Sequence, residues 1–246
     1  MKNIIVIPAR LESTRLPNKV LLDLNGKSII HRVHDQCLKV KNIDAVYIAT
    51  DNDIIIEHCK LFSHNIIKTK NTHSTGTDRV AEAISKIECD NVINIQADEP
   101  FIKVSLIEDL VLQFMESDVC MVSAMHKIKT LEELSNPNNV KVCVDKKMNA
   151  MYFSRSPIPY QRDSLLIGFD SINYYKHIGI YGYTKEFLSR YSKMDITEIE
   201  IIEKLEQLRV LENGYTIRMV LTDEQTLGID TLEDYKEAQK SLTNIN

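Results

Sequence analysis

The chain has 246 residues, 43% of them hydrophobic and 26% charged, the balance of an ordinary globular protein long enough for a substantial core. Its net charge of −5 argues against a general nucleic-acid binder, which would be basic, and its five scattered cysteines, none in a C-x-x-C pair, read as reduced thiols of a cytoplasmic protein. No apolar run approaches the ~18 residues of a membrane helix, and Arg10 comes too early for the apolar region of a signal peptide, so neither a membrane nor a nucleic acid is expected as partner.

Ile4-Ile5-Val6-Ile7 is short and wholly apolar, as a strand buried on both faces would be, and Pro8 ends it by removing a ladder donor. Arg10, Arg15 and Lys19 follow, with Ser13 and Thr14 between them. A cationic loop at the carboxyl end of a buried strand is where open α/β sheets bind ligands. Three cations and two hydroxyls suit a polyphosphate, with Lys as a point charge and Arg as a fork. Neither G-x-x-x-x-G-K-[ST] nor G-x-G-x-x-G occurs here, and the loop has no glycine, so charge must hold the ligand where backbone cradling would otherwise serve. A merely solvated loop fits the local pattern about equally well.

Ser28 caps an expected helix over 28–40, with Ile29, Val33 and Cys37 on one face. Strands are expected at Ala45–Ala49, Asn65–Lys68 and Val92–Gln96, with helices over Ile54–Phe62, Thr77–Ile87 and Val104–Met115. Between them Thr69 to Thr77 is a polar loop. This alternation with short connections argues for a parallel sheet with right-handed crossovers. After Val119 the pattern becomes mixed. Strands are expected at Val119–Met125, Val140–Val144, Met151–Ser154, His177–Tyr183 and Thr216–Leu221, and a short helix near Leu131. A mobile loop is expected over 164–174. Helices are expected over Lys185–Ser192, over Glu198–Asn213 as one continuous element stopped by Gly214, and over Thr231–Leu242, opened by Thr231 and Asp234. One domain over 1–246 is expected, with a mixed insertion at about 125–215.

Arg10, the segment Thr72 to Arg79, and Asp98 would all lie on one edge of the parallel sheet. Cation cluster, polar pocket and carboxylate together describe a nucleoside triphosphate with Mg²⁺, which favours one or two carboxylates plus phosphate oxygens. Asp230, after Gly228-Ile229, is a candidate second metal carboxylate, although both aspartates also suit positions beside helix amino ends. In the second half, Glu206 and Gln207 interrupt the apolar face of their helix and could bind a polyol, a solvated face being the plainer alternative. Arg155 could pair a substrate carboxylate. His177, before an apolar strand, is by position more often structural.

Taken together these segments resemble the cytidylyltransferases that activate acidic sugars. Ile7-Pro8-Ala9-Arg10 through Arg15-Leu16-Pro17-Asn18-Lys19 is similar to that family's opening signature. Ser74-Thr75-Gly76-Thr77-Asp78-Arg79, Asn94-Ile95-Gln96-Ala97-Asp98-Glu99-Pro100 and Tyr152-Phe153-Ser154-Arg155 resemble its 3-deoxy-manno-octulosonate (Kdo) branch. So do Ile158-Pro159, Arg162-Asp163, Lys176-His177-Ile178-Gly179-Ile180-Tyr181-Gly182-Tyr183, Glu206-Gln207-Leu208-Arg209 and Gly228-Ile229-Asp230-Thr231. The resemblance runs from about residue 3 to residue 240.

It implies the nucleotide-diphospho-sugar transferase α/β fold, with a mostly parallel central sheet flanked by helices and an insertion serving sugar binding and dimerisation. It implies transfer of CMP from CTP to the anomeric hydroxyl of Kdo, giving CMP-Kdo and pyrophosphate, for lipopolysaccharide or capsule synthesis, by a cytoplasmic homodimer. Arg10, Lys19 and Asp98 would be catalytic. Arg10, Arg15, Lys19, Thr72, Ser74 and Arg79 would bind CTP. Gln96, Arg155, His177, Tyr181, Glu206 and Gln207 would bind the sugar acid, and Asp98 and Asp230 would hold Mg²⁺.

The chain departs from the family's usual glycine at Ala97 and Asn18 and from its usual aromatic at Leu11. Asn tolerates left-handed backbone. Ala97, if that position needed positive φ, would be strained; if not, its methyl narrows the pocket. That leaves a related acid, an 8-amino Kdo or a nine-carbon ulosonic acid, as an alternative substrate, and a catalytically silent nucleotide- or sugar-binding module as the alternative from another class.

Overall fold

The structure is a computed structural model that describes residues 1–243 apart from 14, 74, 117, 163–171 and 224–227. Its centre is β1 (Asn3–Ala9). Ile5, Ile7 and Ala9 face one core cluster, and Ile4 and Val6 face the other, because alternate residues of a strand point to opposite faces. Both faces are covered, which is why the strand reads as an unbroken apolar run.

β2 (Ala45–Thr50) and β4 (Asn91–Asn94) flank β1, and β3 (Ile66–Lys68) pairs outside β2, all parallel. The path continues through β8 (Tyr175–Thr184) to β5 (Met121–Lys127) and β9 (Arg218–Leu221), in the order β3-β2-β1-β4-β8-β5-β9. β8 runs antiparallel to both of its neighbours, and β5–β9 is parallel again. β6 (Lys141–Val144) pairs with β8 and with β7 (Ala150–Ser154). A single sheet therefore passes through the parallel half and the mixed half.

α1 (Ile29–Cys37), α2 (Asp53–Cys59) and α4 (Val104–Gln113) pack into the cluster around Ile5 and Ile7. α3 (Gly76–Ile84), α6 (Lys185–Tyr191) and α8 (Leu208–Glu212) pack into the cluster around Ile4 and Val6. Their starts follow the sequence closely. Ser28, Asn52, Thr75 and Thr184 accept from backbone N–H groups of the first turns, which satisfies donors that a helix end leaves unpaired. α5 (Leu131–Ser135) packs Leu134 against Ile128 and Tyr174, and α9 (Leu232–Thr243) closes the chain over Leu16, Leu24 and Ile229. Asp234 accepts from the backbone of Thr231, and Thr231 Oγ1 from that of Asp234, the reciprocal cap expected there.

The continuous helix expected over Glu198–Asn213 is instead two, α7 (Glu198–Glu203) and α8. Lys204 turns left-handed between them, with φ 55°. The cause is tertiary: Arg155 donates from Nε to the Glu203 carbonyl at 2.8 Å and from Nη2 to the Lys204 carbonyl at 3.5 Å, taking acceptors that the next helical turn would have used. Most of the loop expected over 164–174 lies outside the described residues. At its end Tyr174 is buried with Ile128 and Leu134.

Candidate active site

The carboxyl ends of β1, β2 and β4 open onto two adjoining cavities that share Pro8, Arg10 and Gln96. One, about 160 Å³, is lined by Glu12, Ser13, Arg15, Lys19, Ala97, Asp98 and Asp230. The other, about 200 Å³, is lined by His73, Thr75, Gly76, Arg79 and Glu206. A larger cleft of about 880 Å³ lies at the opposite end of β4, around Asp90, Asn91 and Lys185, and holds none of the expected site residues. The chemistry therefore belongs to the smaller pair, at the sheet edge where α/β folds place ligands.

Lys19 is the pivot of the first cavity. Asn18, at φ 53° and ψ 27°, turns the chain into the 3-10 turn Lys19–Leu21, so the left-handed tolerance of asparagine is used. The Lys19 side chain is 10% exposed, and its Nζ lies 2.6 Å from Asp98 and 2.8 Å from Asp230. Burial alone would lower the ammonium's pKa, but the two carboxylates outweigh it and the net shift is upward. Arg15 reaches the other oxygen of Asp230 at 3.1 Å. Arg10 is exposed and lines both cavities.

Two carboxylates converging on one buried cation form an all-oxygen, hard donor set, which fits Mg²⁺ shared with phosphate oxygens. A further observation supports the fit. Glu99 Oε2 is buried with no hydrogen-bond partner, and burial, with Asp98 and Asp230 nearby, pushes its carboxyl up to about 7. The pocket thus carries more acid than Lys19 alone neutralises. Ala97 is buried and is not among the positive-φ residues, so its methyl matters for space and not for backbone strain.

In the second cavity Arg79 is buried. It pairs with Asp51 at 2.8 Å and donates to Thr69 Oγ1 at 2.6 Å, which fixes it against the ends of β2 and β3. Thr72 is exposed and lines neither cavity. Ser74 lies outside the described residues. His73, which sequence reasoning passed over, does reach the cavity from this loop, beside Thr75. It meets Glu82 at 2.5 Å. Although burial pushes Glu82 up, the bonds from His73 and from the Lys70 amide hold it at about 2. The signal was a histidine between two hydroxyl residues, three residues before the buried arginine's helix begins at Gly76, and its pairing with Glu82 needed the fold.

Glu206 lines the same cavity, and burial together with Asp78 pushes its carboxyl up. Gln207, His177 and Tyr181 stand behind it. Tyr181 donates to Gln207 Oε1 at 3.3 Å, and Gln207 Nε2 lies 3.5 Å from His177 Nδ1. Burial drives the imidazole of His177 down to about 3. Arg155 stands apart. Its guanidinium is engaged by the carbonyls of Glu203, Pro137 and Lys204, at the break just before Glu206, which reaches the cavity, and Gln207, which is buried behind it. The structure thus brings together Arg10, Arg15, Lys19, Asp98 and Asp230 on one side and Arg79, Gln96 and Glu206 on the other, with His177, Tyr181 and Gln207 behind them.

Residues 4–219 match the family model described as cytidylyltransferase. The 3-deoxy-manno-octulosonate cytidylyltransferase of Fusobacterium nucleatum is 45% identical, over 96% of this chain and 95% of that relative. The protein of the same name from Francisella tularensis (strain FSC 198) is 44% identical over 98% of each chain. A solved CMP:2-keto-3-deoxy-manno-octonic acid synthetase in complex with CTP is 36% identical and superposes over the whole of both chains with a TM-score of 0.94. A 4-diphosphocytidyl-2C-methyl-D-erythritol synthase from Anaerococcus prevotii, at 15% identity and a TM-score of 0.63 over 98% of each chain, shares the fold. By the extent of these matches, the chain belongs to the cytidylyltransferase family, beside its 3-deoxy-manno-octulosonate members.

Proposed function

We propose that this chain transfers CMP from CTP to the anomeric hydroxyl of Kdo, with Mg²⁺ bound. The hydroxyl oxygen gives up its proton to solvent and forms a bond to the α-phosphorus while the bond to the bridging oxygen breaks, and pyrophosphate leaves. The observation that supports this most directly is the Lys19 ammonium held between Asp98 and Asp230 beside Arg10 and Arg15.

Phosphoryl transfer asks a protein mainly to position the groups and neutralise charge. Arg10, Arg15 and Lys19 would hold the triphosphate, Arg as a fork and Lys as a point charge. Arg79, fixed by Asp51 and Thr69, and His73, fixed by Glu82, would form the wall against the base. Gln96, Glu206, Gln207, His177 and Tyr181 would bind the hydroxyls of the sugar acid, with Arg155 keeping Glu206 and Gln207 in place. Asp98 and Asp230 would hold Mg²⁺, which when bound polarises the phosphate and lowers the pKa of a coordinated hydroxyl. This reading includes a homodimer assembled through the insertion. It also includes a cytoplasmic location, which five free thiols suit.

The test is pyrophosphate release by the purified protein with CTP and Mg²⁺ against Kdo, an 8-amino Kdo and N-acetylneuraminate. Turnover with Kdo is the expected result. Preference for another acid would move the specificity to the wall at Ala97, which lines the triphosphate-side cavity. CTP binding without turnover of any acid would refute the reading. Light scattering after gel filtration decides the oligomeric state.

A further inference from the structure

β8 is interrupted where it passes β5. Ala124 faces Ile178 but Ser123 faces Tyr181, so Gly179 and Ile180 are an insertion with no counterpart on β5. In a regular strand His177 and Tyr181 would be about 14 Å apart, at ~3.4 Å per residue. The bulge brings them opposite Met125 and Ser123, next neighbours on one face of β5. Their rings come to 5.5 Å, and both reach Gln207.

The bulge leaves the carbonyls of Ile178 and Ile180 turned toward Ser123. The fully buried Ser123 hydroxyl lies 2.8 Å from Ile180 O and 3.3 Å from Ile178 O, and its oxygen is also 2.8 Å from His177 Nε2. A serine has one proton to donate, and a carbonyl can only accept. The proton therefore goes to Ile180 O, and the hydroxyl oxygen must accept from His177 Nε2–H. That leaves Nδ1 as an acceptor, so the Gln207 amide points its nitrogen at His177. Its oxygen then accepts from Tyr181. Every proton in the chain Tyr181, Gln207, His177, Ser123, Ile180 has one direction.

We propose that Ser123 is a positioning residue of the sugar-acid subsite. Its bond to His177 holds the imidazole in the Nε2–H tautomer and thereby sets which way the Gln207 amide faces. This rests on the reading in which His177, Tyr181 and Gln207 bind the sugar acid. Gln207 keeps one N–H beyond the bond to His177, and Tyr181 keeps an oxygen lone pair. The subsite offers the sugar acid a fixed donor and a fixed acceptor without rotamer searching at binding, which is how a preorganised polar network gains affinity.

The test has two arms. Histidine-¹⁵N-labelled full-length protein without substrate, with the His177 signal assigned from a His177→Gln variant, should show His177 as the neutral Nε2–H form. Ser123→Ala should shift it toward a mixture of tautomers. In steady-state assays Ser123→Ala should raise the KM for Kdo about tenfold, the worth of one buried hydrogen bond, and leave the KM for CTP unchanged. Finding His177 as Nδ1–H in the unsubstituted protein would overturn the proposal whether or not the variant folds. A variant that keeps both the tautomer and the KM for Kdo would also overturn it. Absence of turnover with every sugar acid would refute the functional reading instead, and the substrate-free spectrum decides the hold of Ser123 on His177 independently of that outcome.

Discussion

Acidifying the protein should unfold it partly through His177. The groups that face this imidazole are Ser123 from β5, Phe153 from β7, Tyr181 from β8 itself and Gln207 at the head of α8. All are neutral, so an imidazolium there would have no counter-charge. Burial accordingly lowers the folded-state value from 6.5 to about 3. Above pH 6.5 the histidine is neutral in both states and contributes nothing. As the pH falls, the unfolded chain takes up a proton that the folded chain refuses, so stability is lost between 6.5 and about 3. One proton is worth about 1.4 kcal/mol per pH unit. The loss should reach about 2 kcal/mol by pH 5 and be on the order of 5 kcal/mol when complete. The assay is urea unfolding from pH 7 to pH 4.5, comparing the unsubstituted protein with His177→Gln. The half-buried His31 and the buried His34 and His126 are also lowered, chiefly by desolvation, but they steepen both curves equally, so the difference isolates His177. Parallel curves would refute the reasoning.

Three further outcomes are expected. Asp98→Asn should cut pyrophosphate release by roughly a thousandfold, since one of the two carboxylates proposed to hold Mg²⁺ loses its charge. It should cost only about 1 kcal/mol of stability, because Lys19 keeps Asp230 at 2.8 Å, and an undiminished rate would remove Asp98 from the site. Gly182→Ala places a methyl 2.7 Å from Ile93 Cδ1 and Val122 Cγ2 and 3.0 Å from Phe114 Cε2. Overpacking of this kind costs about 1–3 kcal/mol, and a denaturation midpoint equal to that of the unsubstituted protein would show that the sheet yields there freely. Lys141→Met should destabilise by about 2–4 kcal/mol, since the fully buried ammonium donates to the carbonyls of Asn136, Asn139 and Arg155 and those acceptors would be left unpaired. Loss below 0.5 kcal/mol by calorimetry would show that water replaces it, a threshold near the usual scatter of surface substitutions.

Much of this molecule was legible from neighbouring residues alone. The apolar run Ile4–Ile7 dictated a strand covered on both faces, Pro8 its end, and Ser28 and Thr231 the starts of helices, because each is a local matter of side-chain period or of satisfying the first turn's N–H groups. The cationic loop and Asp98 were visible as charges at strand ends. Only the tertiary structure decided the rest. Lys19 lies between carboxylates 79 and 211 positions away; β1 and β4 bring Asp98 near by pairing in register, and the bond from Ile229 N–H to the Asp98 carbonyl brings Asp230 beside it. The break at Lys204 was invisible, since the local pattern of Glu198–Asn213 favours one helix and the carbonyls that end it are taken by Arg155, some 48 residues earlier. Gly179 inside the strand is a weak sign of a bulge, but nothing in β8 itself places the two-residue insertion at Gly179 and Ile180. It exists because β5 sets the register, and that register, by bringing His177 and Tyr181 within reach of Gln207 and Ser123, gives the imidazole its tautomer. Propensity and period act over a few residues, whereas a hydrogen-bond acceptor can be claimed by any donor that the fold brings near it.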